Sequence, residues 1–270
     1  MLRYWTAGES HGKTLLAVVD GFPAGIEIDT DAIDYDLRMR QGGYGRGGRQ
    51  KIETDKVELL TGVWKNVSMG SPVTLQVINR DYKLEKLKEL ERPRPGHGDL
   101  TGAVKFLGSI RNVLERSSAR ETAVRVAAGA LAKQILAEFQ IECIGFVDEL
   151  GGQQIHRQEG DIQKWRTLRE QSEVYSLNPA QDPEIKQLID QAEEQGDTLG
   201  GILEVHIAGL PFGLGTHAQW DRKLDGRIAQ AVMAVQAIKG VEIGLGFEAA
   251  RRPGSQVHDP ITYDADKKDT

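Results

Sequence analysis

Arg116-Ser117-Ser118-Ala119-Arg120-Glu121-Thr122 leads directly into an apolar segment that ends at Phe139. Ser118 and Glu121 have the spacing of a capping box, in which each side chain caps the backbone amide of the other residue, so we expect a helix to begin here. Apolar residues then recur every four positions along two adjacent rows, which predicts a helix that is buried on most sides. The rows are Ala123/Ala127/Leu131/Ile135 and Val124/Ala128/Ala132/Leu136.

The start of this helix also carries side chains that suit a phosphate. Free amides and the helix dipole favour an anion at a helix N-terminus, and Arg116 and Arg120 add charge and bidentate donors. Positive side chains in a first turn oppose the dipole, so they destabilise the helix unless an anion binds. A capped surface helix with solvated arginines is the alternative, and the apolar character of residues 123–139 favours the binding site.

Composition limits the classes of protein to consider. At 270 residues the chain can form one large domain or two small ones, and its net charge of −6 gives no general attraction for nucleic acid or an anionic membrane. Cys143 is the only cysteine, which excludes an internal disulfide and fits a reducing compartment. The N-terminus lacks the apolar core of a signal peptide, and no uncharged apolar run reaches bilayer length. We therefore expect a cytoplasmic protein without nucleic-acid or membrane partners.

The order of the predicted elements favours an α+β fold. Strands and helices follow one another without strict βαβ alternation. We predict strands at 15–19, 57–63, 73–78, 141–147 and 202–207, and helices at 30–40, 120–139, 183–195 and 219–237. The more polar region 151–200 is expected to form a peripheral hairpin and helix.

A short pattern occurs twice in the chain. Residues 21–26 and 209–214 both read Gly-[Phe/Leu]-Pro-x-Gly-[Ile/Leu], each after a predicted strand. Two halves related by a pseudo-two-fold axis would explain the repetition. A convenient turn that occurs twice would explain it equally well, so both interpretations stay open.

Histidines lie in two glycine-containing loops. His11 lies within Gly8-Glu9-Ser10-His11-Gly12, and His97 within Pro95-Gly96-His97-Gly98-Asp99. A single histidine in such a loop is more often merely solvated. Two of them beside a phosphate-type helix start predict general acid chemistry on a phosphate ester. Neither loop has the spacing of metal ligands, so we expect no metal site.

Residues 40–49, called here the arginine loop, combine arginine with glycine. They read Arg40-Gln41-Gly42-Gly43-Tyr44-Gly45-Arg46-Gly47-Gly48-Arg49. An RGG-type nucleic-acid segment is one interpretation, but a single copy in an acidic chain favours a mobile loop that closes over an anionic small molecule. The pattern is neither a Walker loop nor a dinucleotide fingerprint, because it lacks Gly-Lys-Ser/Thr and follows a predicted helix.

Several blocks of the chain together closely resemble the chorismate synthase family and occur in the family's order. The blocks are residues 8–12, 40–46, 92–97, 116–122 with 125–130, and 236–244. The resemblance implies a single domain over 1–270 with a β-α-β sandwich, in which central helices lie between antiparallel sheets, and a homotetramer. It also implies the last common step of the shikimate pathway. In that step 5-enolpyruvylshikimate 3-phosphate loses phosphate by trans-1,4-elimination to give chorismate, with reduced FMN as an obligatory cofactor but no net redox change.

The resemblance assigns roles to individual residues. His11 would protonate or hydrogen-bond the departing phosphate, and His97 would face the flavin and assist its protonation. The substrate's phosphate and carboxylates would be held by Ser10, Arg40, Arg46 and Arg120. The family's FMN-contacting positions fall on Arg116, Ser117, Ser118, Gln236 and Ala237. Arg40 and Arg46 are also the positions associated with NADPH, the possible reductant.

The chain differs from the family pattern in two respects. Ser109 occupies a position where an acidic residue is expected, which puts a salt bridge or flavin-side role there in doubt. Family members also continue beyond Thr270 with further flavin and substrate residues, so we expect little activity from these 270 residues alone. A truncated relative that only binds an anionic ligand or partner is the alternative to an enzyme.

Overall fold

The computed structural model describes residues 2–262, and for residues 50 and 51 only the backbone. It divides into two compact units, Met1–Leu210 and Pro211–Thr270. The strands of the first unit are β1 (Arg3–Ala7), β2 (Thr14–Asp20), β3 (Ala24–Glu27), β4 (Val57–Thr61), β5 (Val63–Trp64), β6 (Val67–Met69), β7 (Val73–Ile78), β8 (Glu142–Leu150), β9 (Gln153–Gln154) and β10 (Gly201–Ala208). Its helices are α1 (Thr30–Gln41), α2 (Asp99–Phe106), α3 (Ile110–Ser117), α4 (Thr122–Glu138), α5 (Ile162–Gln171) and α6 (Asp182–Glu194).

The main sheet is antiparallel and has the strand order β1-β2-β7-β4. Every second residue of its two central strands is buried, as the period of two in a strand requires. These residues are Leu15, Ala17, Val19, Val73, Leu75 and Val77. They pack in one apolar core with α1 and α4, so the core covers one face of the sheet.

Helix α4 is the buried helix that the sequence predicts. Ala123, Val124, Ala127 and Leu131 are completely buried, which confirms the predicted apolar rows over the first half of the helix. The helix contacts β2 and β7 of the main sheet and also β8 of a second antiparallel sheet, ordered β10-β8-β9. A helix that packs against strands of two antiparallel sheets confirms the α+β class.

The start of α4 differs in detail from the predicted capping box. The Ser118 hydroxyl accepts a hydrogen bond from the amide of Arg120, at 3.2 Å, and not from that of Glu121. A tight turn at Ala119–Glu121 precedes α4 and brings the Arg120 amide closer to the cap. The Glu121 carboxylate accepts hydrogen bonds from Thr6 and Arg125, so it ties the helix to β1.

Two predicted elements are shorter than expected. The strand expected at 57–63 is interrupted at Gly62, which has φ +81° and where a Cβ would lie 2.6 Å from the Pro72 carbonyl oxygen. The helix expected at 219–237 is α7 (Leu224–Met233), in the second unit. Extended backbone at Lys223 and the left-handed φ of +69° at Ala237 are incompatible with a longer helix.

Region 151–200 contains one more helix than expected. The predicted helix at 183–195 is α6, and the short strand β9 completes a hairpin with β8. Helix α5 was not predicted, because its polar sequence has little apolar periodicity; the Asp161 side chain caps its start by accepting from the Lys164 amide. A small apolar cluster around Ile155, Val174 and Ile185 packs this region against β8.

The two repeated turns have similar glycine conformations. Gly21 and Gly25 have φ of 77° and 86°, and Gly209 and Gly213 have φ of 76° and 82°. Either interpretation of the repetition requires these left-handed glycines, so both stay open.

Within residues 2–262, no helix combines the length and the apolar character that a bilayer crossing requires.

Candidate active site

Two of the three predicted loops, the histidine turn at 8–12 and the arginine loop, meet at one edge of the main sheet. The turn between β1 and β2 carries Ser10 and His11, Asn79 directly follows β7, and Asp55 lies two residues before the start of β4. The antiparallel pairing places these strand ends side by side. Asn79 Nδ2 donates to the carbonyl oxygens of Ser10 (3.3 Å) and Gly12 (2.8 Å), and thereby fixes the shape of the turn.

His11 is held by a buried carboxylate. Its Nδ1 lies 3.0 and 3.1 Å from the two carboxylate oxygens of Glu115 on α3, and its backbone amide donates to the same carboxylate at 2.8 Å. A carboxylate at Nδ1 keeps a proton on that nitrogen and leaves Nε2 as the atom that can exchange one. Nε2 lies 3.5 Å from Arg49 and 3.7 Å from Asp81. The half-buried imidazole therefore presents Nε2 to charged groups on the arginine-loop side.

Ser10 links the histidine turn to the arginine loop. Its hydroxyl accepts a hydrogen bond from Arg49 Nη1 at 2.7 Å, and its carbonyl oxygen accepts from Arg49 Nη2. Arg49 also pairs with Glu53, at 3.2 Å. Burial would raise the pKa of Glu53, but the amides of Arg80 and Asp81 and the charge of Arg120 lower it below its usual value. The turn and the loop thus meet in a network of alternating charges.

Arg120 lies at the centre of this network and is buried. Its Nη1 and Nη2 donate to the two carboxylate oxygens of Asp55, both at 2.7 Å, and its Nε donates to Asn79 at 2.8 Å. The charge that opposes the helix dipole is therefore compensated by a carboxylate of the protein. The predicted contact of Arg120 with the substrate stays a prediction.

Arg40 has spare capacity for an anion. Nε donates to the Thr122 hydroxyl (3.0 Å) and Nη2 to the Ala119 carbonyl (3.1 Å), while Nη1 is buried without a hydrogen-bond partner among the residues that the structure describes. Asp55 lies 3.6 Å from Nη1. The pKa of Arg40 is lowered to about 10, mainly by burial; Asp55 opposes this effect, and neighbouring positive charges add to it. Those charges belong to Arg120, Arg46 and Arg49. Buried donors are normally paired, so this guanidinium suits an oxyanion.

The other predicted residues lie around this cluster or elsewhere in the chain. Arg46 is exposed, and its Nε donates to the Gly42 carbonyl at 2.9 Å. Arg116, at the end of α3, donates to the carbonyl oxygens of Thr6 and Gly8 in β1 and the following turn. Ser117 is exposed beside it, and Ser118 is half-buried. The remaining predicted positions, Gln236 and Ala237, belong to the second unit.

His97 makes its described hydrogen bond within its own loop. Its Nδ1 lies 2.9 Å from the Pro95 carbonyl oxygen, and its ring is exposed. The loop is anchored by Arg94, whose guanidinium and amide bind the buried Asp99 at the start of α2. The Arg94 guanidinium holds the pKa of Asp99 at about 2. The structure thus gives His97 an anchored loop, and its role towards the flavin stays a prediction.

Six residues that connect the loops were not among the site residues predicted from the sequence. They are Arg49, Glu53, Asp55, Asn79, Asp81 and Glu115. Asn79-Arg80-Asp81 directly follows the buried strand β7, and polar residues at the end of such a strand are a signal that could have been used. Within residues 2–262, no cluster of three or more His, Cys, Asp or Glu side chains could hold a metal ion.

Comparison with known proteins decides the family. The model of the family described as chorismate synthase matches residues 2–270. The chain belongs to the chorismate synthase family. It is 53% identical to the chorismate synthase of Geobacter sulfurreducens, covering 98% of this chain and 71% of that protein. It is 48% identical to the chorismate synthase of Lactococcus lactis, covering 98% of this chain and 73% of that protein.

A solved structure also matches the fold. A crystal structure of chorismate synthase superposes with a TM-score of 0.85 at 44% identity, covering 99% of this chain and 76% of that one. The family resemblance and the implied fold are therefore confirmed, and the family is one of lyases in aromatic amino-acid biosynthesis. At the divergent position, the Ser109 hydroxyl accepts from the Asn112 amide at 3.1 Å and caps α3. Serine and aspartate cap helices about equally well, so α3 keeps its cap although the position carries no charge.

Proposed function

We propose that this member of the chorismate synthase family converts 5-enolpyruvylshikimate 3-phosphate to chorismate and inorganic phosphate. The observation that carries the proposal is the juxtaposition of the His11–Glu115 pair with an arginine cluster in which one buried donor makes no hydrogen bond to the described residues. A leaving phosphate needs both a proton source and fixed positive charge. The two are found together at one edge of the main sheet.

In this proposal His11 serves the leaving group. Glu115 fixes the ring through Nδ1, so Nε2 is the atom that would donate a proton or hydrogen bond to a phosphate oxygen. The Ser10 hydroxyl accepts from Arg49 and still has its own hydrogen to donate. The imidazole and the hydroxyl would therefore bind the same phosphate from adjacent positions in one turn.

The arginines would hold the substrate's anionic groups. Arg40 Nη1 would donate to a phosphate or carboxylate oxygen, and Arg46 would do so from its exposed position in the loop. Arg120 would act mainly through the electrostatic attraction of its positive charge, because its buried guanidinium already pairs with the Asp55 carboxylate. Arginine suits this task because its fork binds oxyanions in a bidentate manner and keeps its proton.

The residues assigned to FMN form a donor set that fits such a group. Arg116 and the hydroxyls of Ser117 and Ser118 offer hydrogen-bond donors beside the β1–β2 turn. The assignment of Gln236 and Ala237 to FMN rests on the family resemblance alone. When bound, reduced FMN would supply transient electron density to the substrate. His97 would face the flavin and shuttle a proton, and Arg40 and Arg46 would also receive NADPH if that is the reductant.

We further propose a cytoplasmic homotetramer whose protomer is a single domain.

Two measurements on the protein test this function. Calorimetry should show saturable binding of 5-enolpyruvylshikimate 3-phosphate that weakens as salt is added. Anaerobic incubation with reduced FMN should release chorismate and phosphate in equal amounts, and none when the flavin is oxidised. Absence of saturable substrate binding would overturn the proposal. The sequence-based expectation of little turnover is tested by the same incubation, so binding is the deciding result.

A further inference from the structure

The arginine loop lies against a segment of region 151–200 that the proposed chemistry does not use. This segment, residues 173–190, is called here the supporting segment. The Tyr44 amide donates to the Glu173 carbonyl oxygen at 2.7 Å, and the Tyr44 hydroxyl donates to Asp190 Oδ1 at 2.7 Å. Lys186 Nζ lies 4.5 Å from the centre of the Tyr44 ring and pairs with Glu173 at 2.7 Å. The supporting segment thus contacts the backbone amide, the hydroxyl and the ring of Tyr44 at the tip of the loop.

The glycines of the loop allow this close approach. A Cβ at Gly45 would lie 2.6 Å from Ile189 Cγ2, and a Cβ at Gly43 would lie 3.1 Å from Tyr175 Cε2. A Cβ at Gly42 would clash with the Tyr175 hydroxyl. Gly43 and Gly45 also have positive φ, at 95° and 73°. Close packing against the supporting segment therefore explains the glycines of the loop, in addition to the ligand binding that the sequence predicted.

Tyr175 is held rigidly enough to support the loop. It has a left-handed φ of +61°, uncommon for a bulky residue, and its carbonyl oxygen accepts from the Val147 amide of β8 at 2.9 Å. Beside it, the buried Asp182 carboxylate accepts from the Ser172 hydroxyl (2.9 Å) and the Glu173 amide (2.7 Å). A buried network of this kind fixes the backbone from which the tyrosine projects.

Charge also connects Tyr175 with the loop. Burial raises the pKa of Tyr175, and the positive charges of Arg46 and Arg169 oppose that rise. The tyrosine is thus within electrostatic reach of an arginine assigned to the substrate. Without support, a loop with several glycines would sample many conformations, and ordering it would cost free energy each time a ligand binds.

We propose that Tyr175 and the Tyr44–Asp190 hydrogen bond are positioning elements that keep the arginine loop ready for the substrate's anionic groups. The inference rests on the proposed function, because that function supplies the ligand of Arg40 and Arg46. The supporting segment does not touch the reacting atoms. It raises the fraction of molecules whose loop can bind, and the apparent dissociation constant is inversely proportional to that fraction.

The test combines hydrogen exchange of residues 42–48 with substrate binding in five variants. Tyr44→Phe, Asp190→Ala and Tyr175→Ala should speed exchange in the loop and raise the dissociation constant of 5-enolpyruvylshikimate 3-phosphate by about fivefold, roughly the effect of one net hydrogen bond. Tyr175→Phe keeps the ring against Gly43 and should stay within about twofold of wild type. The Tyr44→Phe/Asp190→Ala double variant should be no worse than either single variant, because both remove the same bond.

A matched control breaks a pair elsewhere in the same region. Arg166 pairs with Glu142 at 2.7 Å and joins α5 to β8, so Arg166→Gln should change neither loop exchange nor substrate affinity. Faster exchange with unchanged affinity would overturn the positioning role, and unchanged exchange would overturn the contact itself. If Tyr175→Ala does not fold, Tyr44→Phe alone decides. Failure of the wild type to bind overturns the proposed function, whereas normal wild-type binding with unaffected variants overturns only this inference.

Discussion

The Glu115 carboxylate contacts His11 at two points, the imidazole Nδ1 at 3.0 Å and the backbone amide at 2.8 Å. Glu115 is buried on α3, and Ser10 donates its own amide to the Glu115 carbonyl oxygen at 2.9 Å. Both the ring and the chain of the β1–β2 turn are therefore fixed by one residue that is distant in sequence. This relationship makes Glu115 the positioning residue for His11.

Replacement of His11 tests its role in the proposed elimination. His11→Ala should lower whatever turnover the wild type shows by about 10²- to 10⁴-fold, the usual contribution of a general acid, while substrate and flavin binding change little. Glu115→Gln should give a smaller loss, because an amide still provides an acceptor but not the charge. Glu58→Gln, which changes an exposed carboxylate on β4, serves as the control. Unchanged turnover in His11→Ala would refute the assigned role.

The buried pair of Arg120 and Asp55 should contribute strongly to stability. Asp55→Ala leaves the Arg120 guanidinium buried without its bidentate partner, so the free energy of unfolding should fall by about 3–5 kcal/mol. Urea unfolding measures the change. Arg166→Gln removes a partly exposed ion pair instead and should cost at most about 1 kcal/mol. Equal losses in the two variants would contradict the central position of Arg120.

The sequence predicted the strands and helices around the site better than the hydrogen bonds and ion pairs that join the residues of the site. Strand β7 has its predicted bounds, and α4 its predicted burial, because both depend on a regular apolar period. Glycine and arginine clusters indicated the loops that carry His11 and Arg40, whereas Ser10 was assigned by the family resemblance, and the roles of all three stay predictions. Asp55 and Glu115 carried no such signal, because in a chain with 40 acidic residues a carboxylate that becomes buried resembles one that remains in water.

The same limit explains the supporting segment. Tyr44 and Asp190 are far apart in the sequence, and nothing in either neighbourhood indicates the hydrogen bond that joins them. The glycines of the arginine loop were interpreted as a source of mobility. In the structure, Gly43 and Gly45 also permit close packing against Tyr175 and Ile189. Composition alone does not distinguish a glycine that makes the backbone mobile from one whose missing side chain allows close packing.

Acid should weaken the anchor of the His97 loop. The pKa of Asp99 is about 2 in the folded protein, below the unfolded value of about 3.9. The stabilisation by Asp99 is therefore complete above about pH 4 and is lost as the pH falls towards about 2. Unfolding free energies of wild type and Asp99→Asn should converge over this range, by a modest amount because Arg94 is partly exposed. Parallel curves would contradict the assignment.

Two glycine-to-alanine substitutions should have opposite effects on stability. Gly8 has φ +105°, and a Cβ there would clash with the Thr14 carbonyl oxygen, so Gly8→Ala should destabilise the protein by about 1–3 kcal/mol and displace Ser10 and His11. Gly129 lies within α4, and apart from the adjacent helix backbone no atom of the described residues lies within 4 Å of an added Cβ, so Gly129→Ala should stabilise the protein by about 1 kcal/mol through helix propensity. Thermal unfolding measures both changes. Substrate affinity should fall only in Gly8→Ala, because only that substitution disturbs the β1–β2 turn, and a comparable fall in Gly129→Ala would show that affinity follows some other property of the chain.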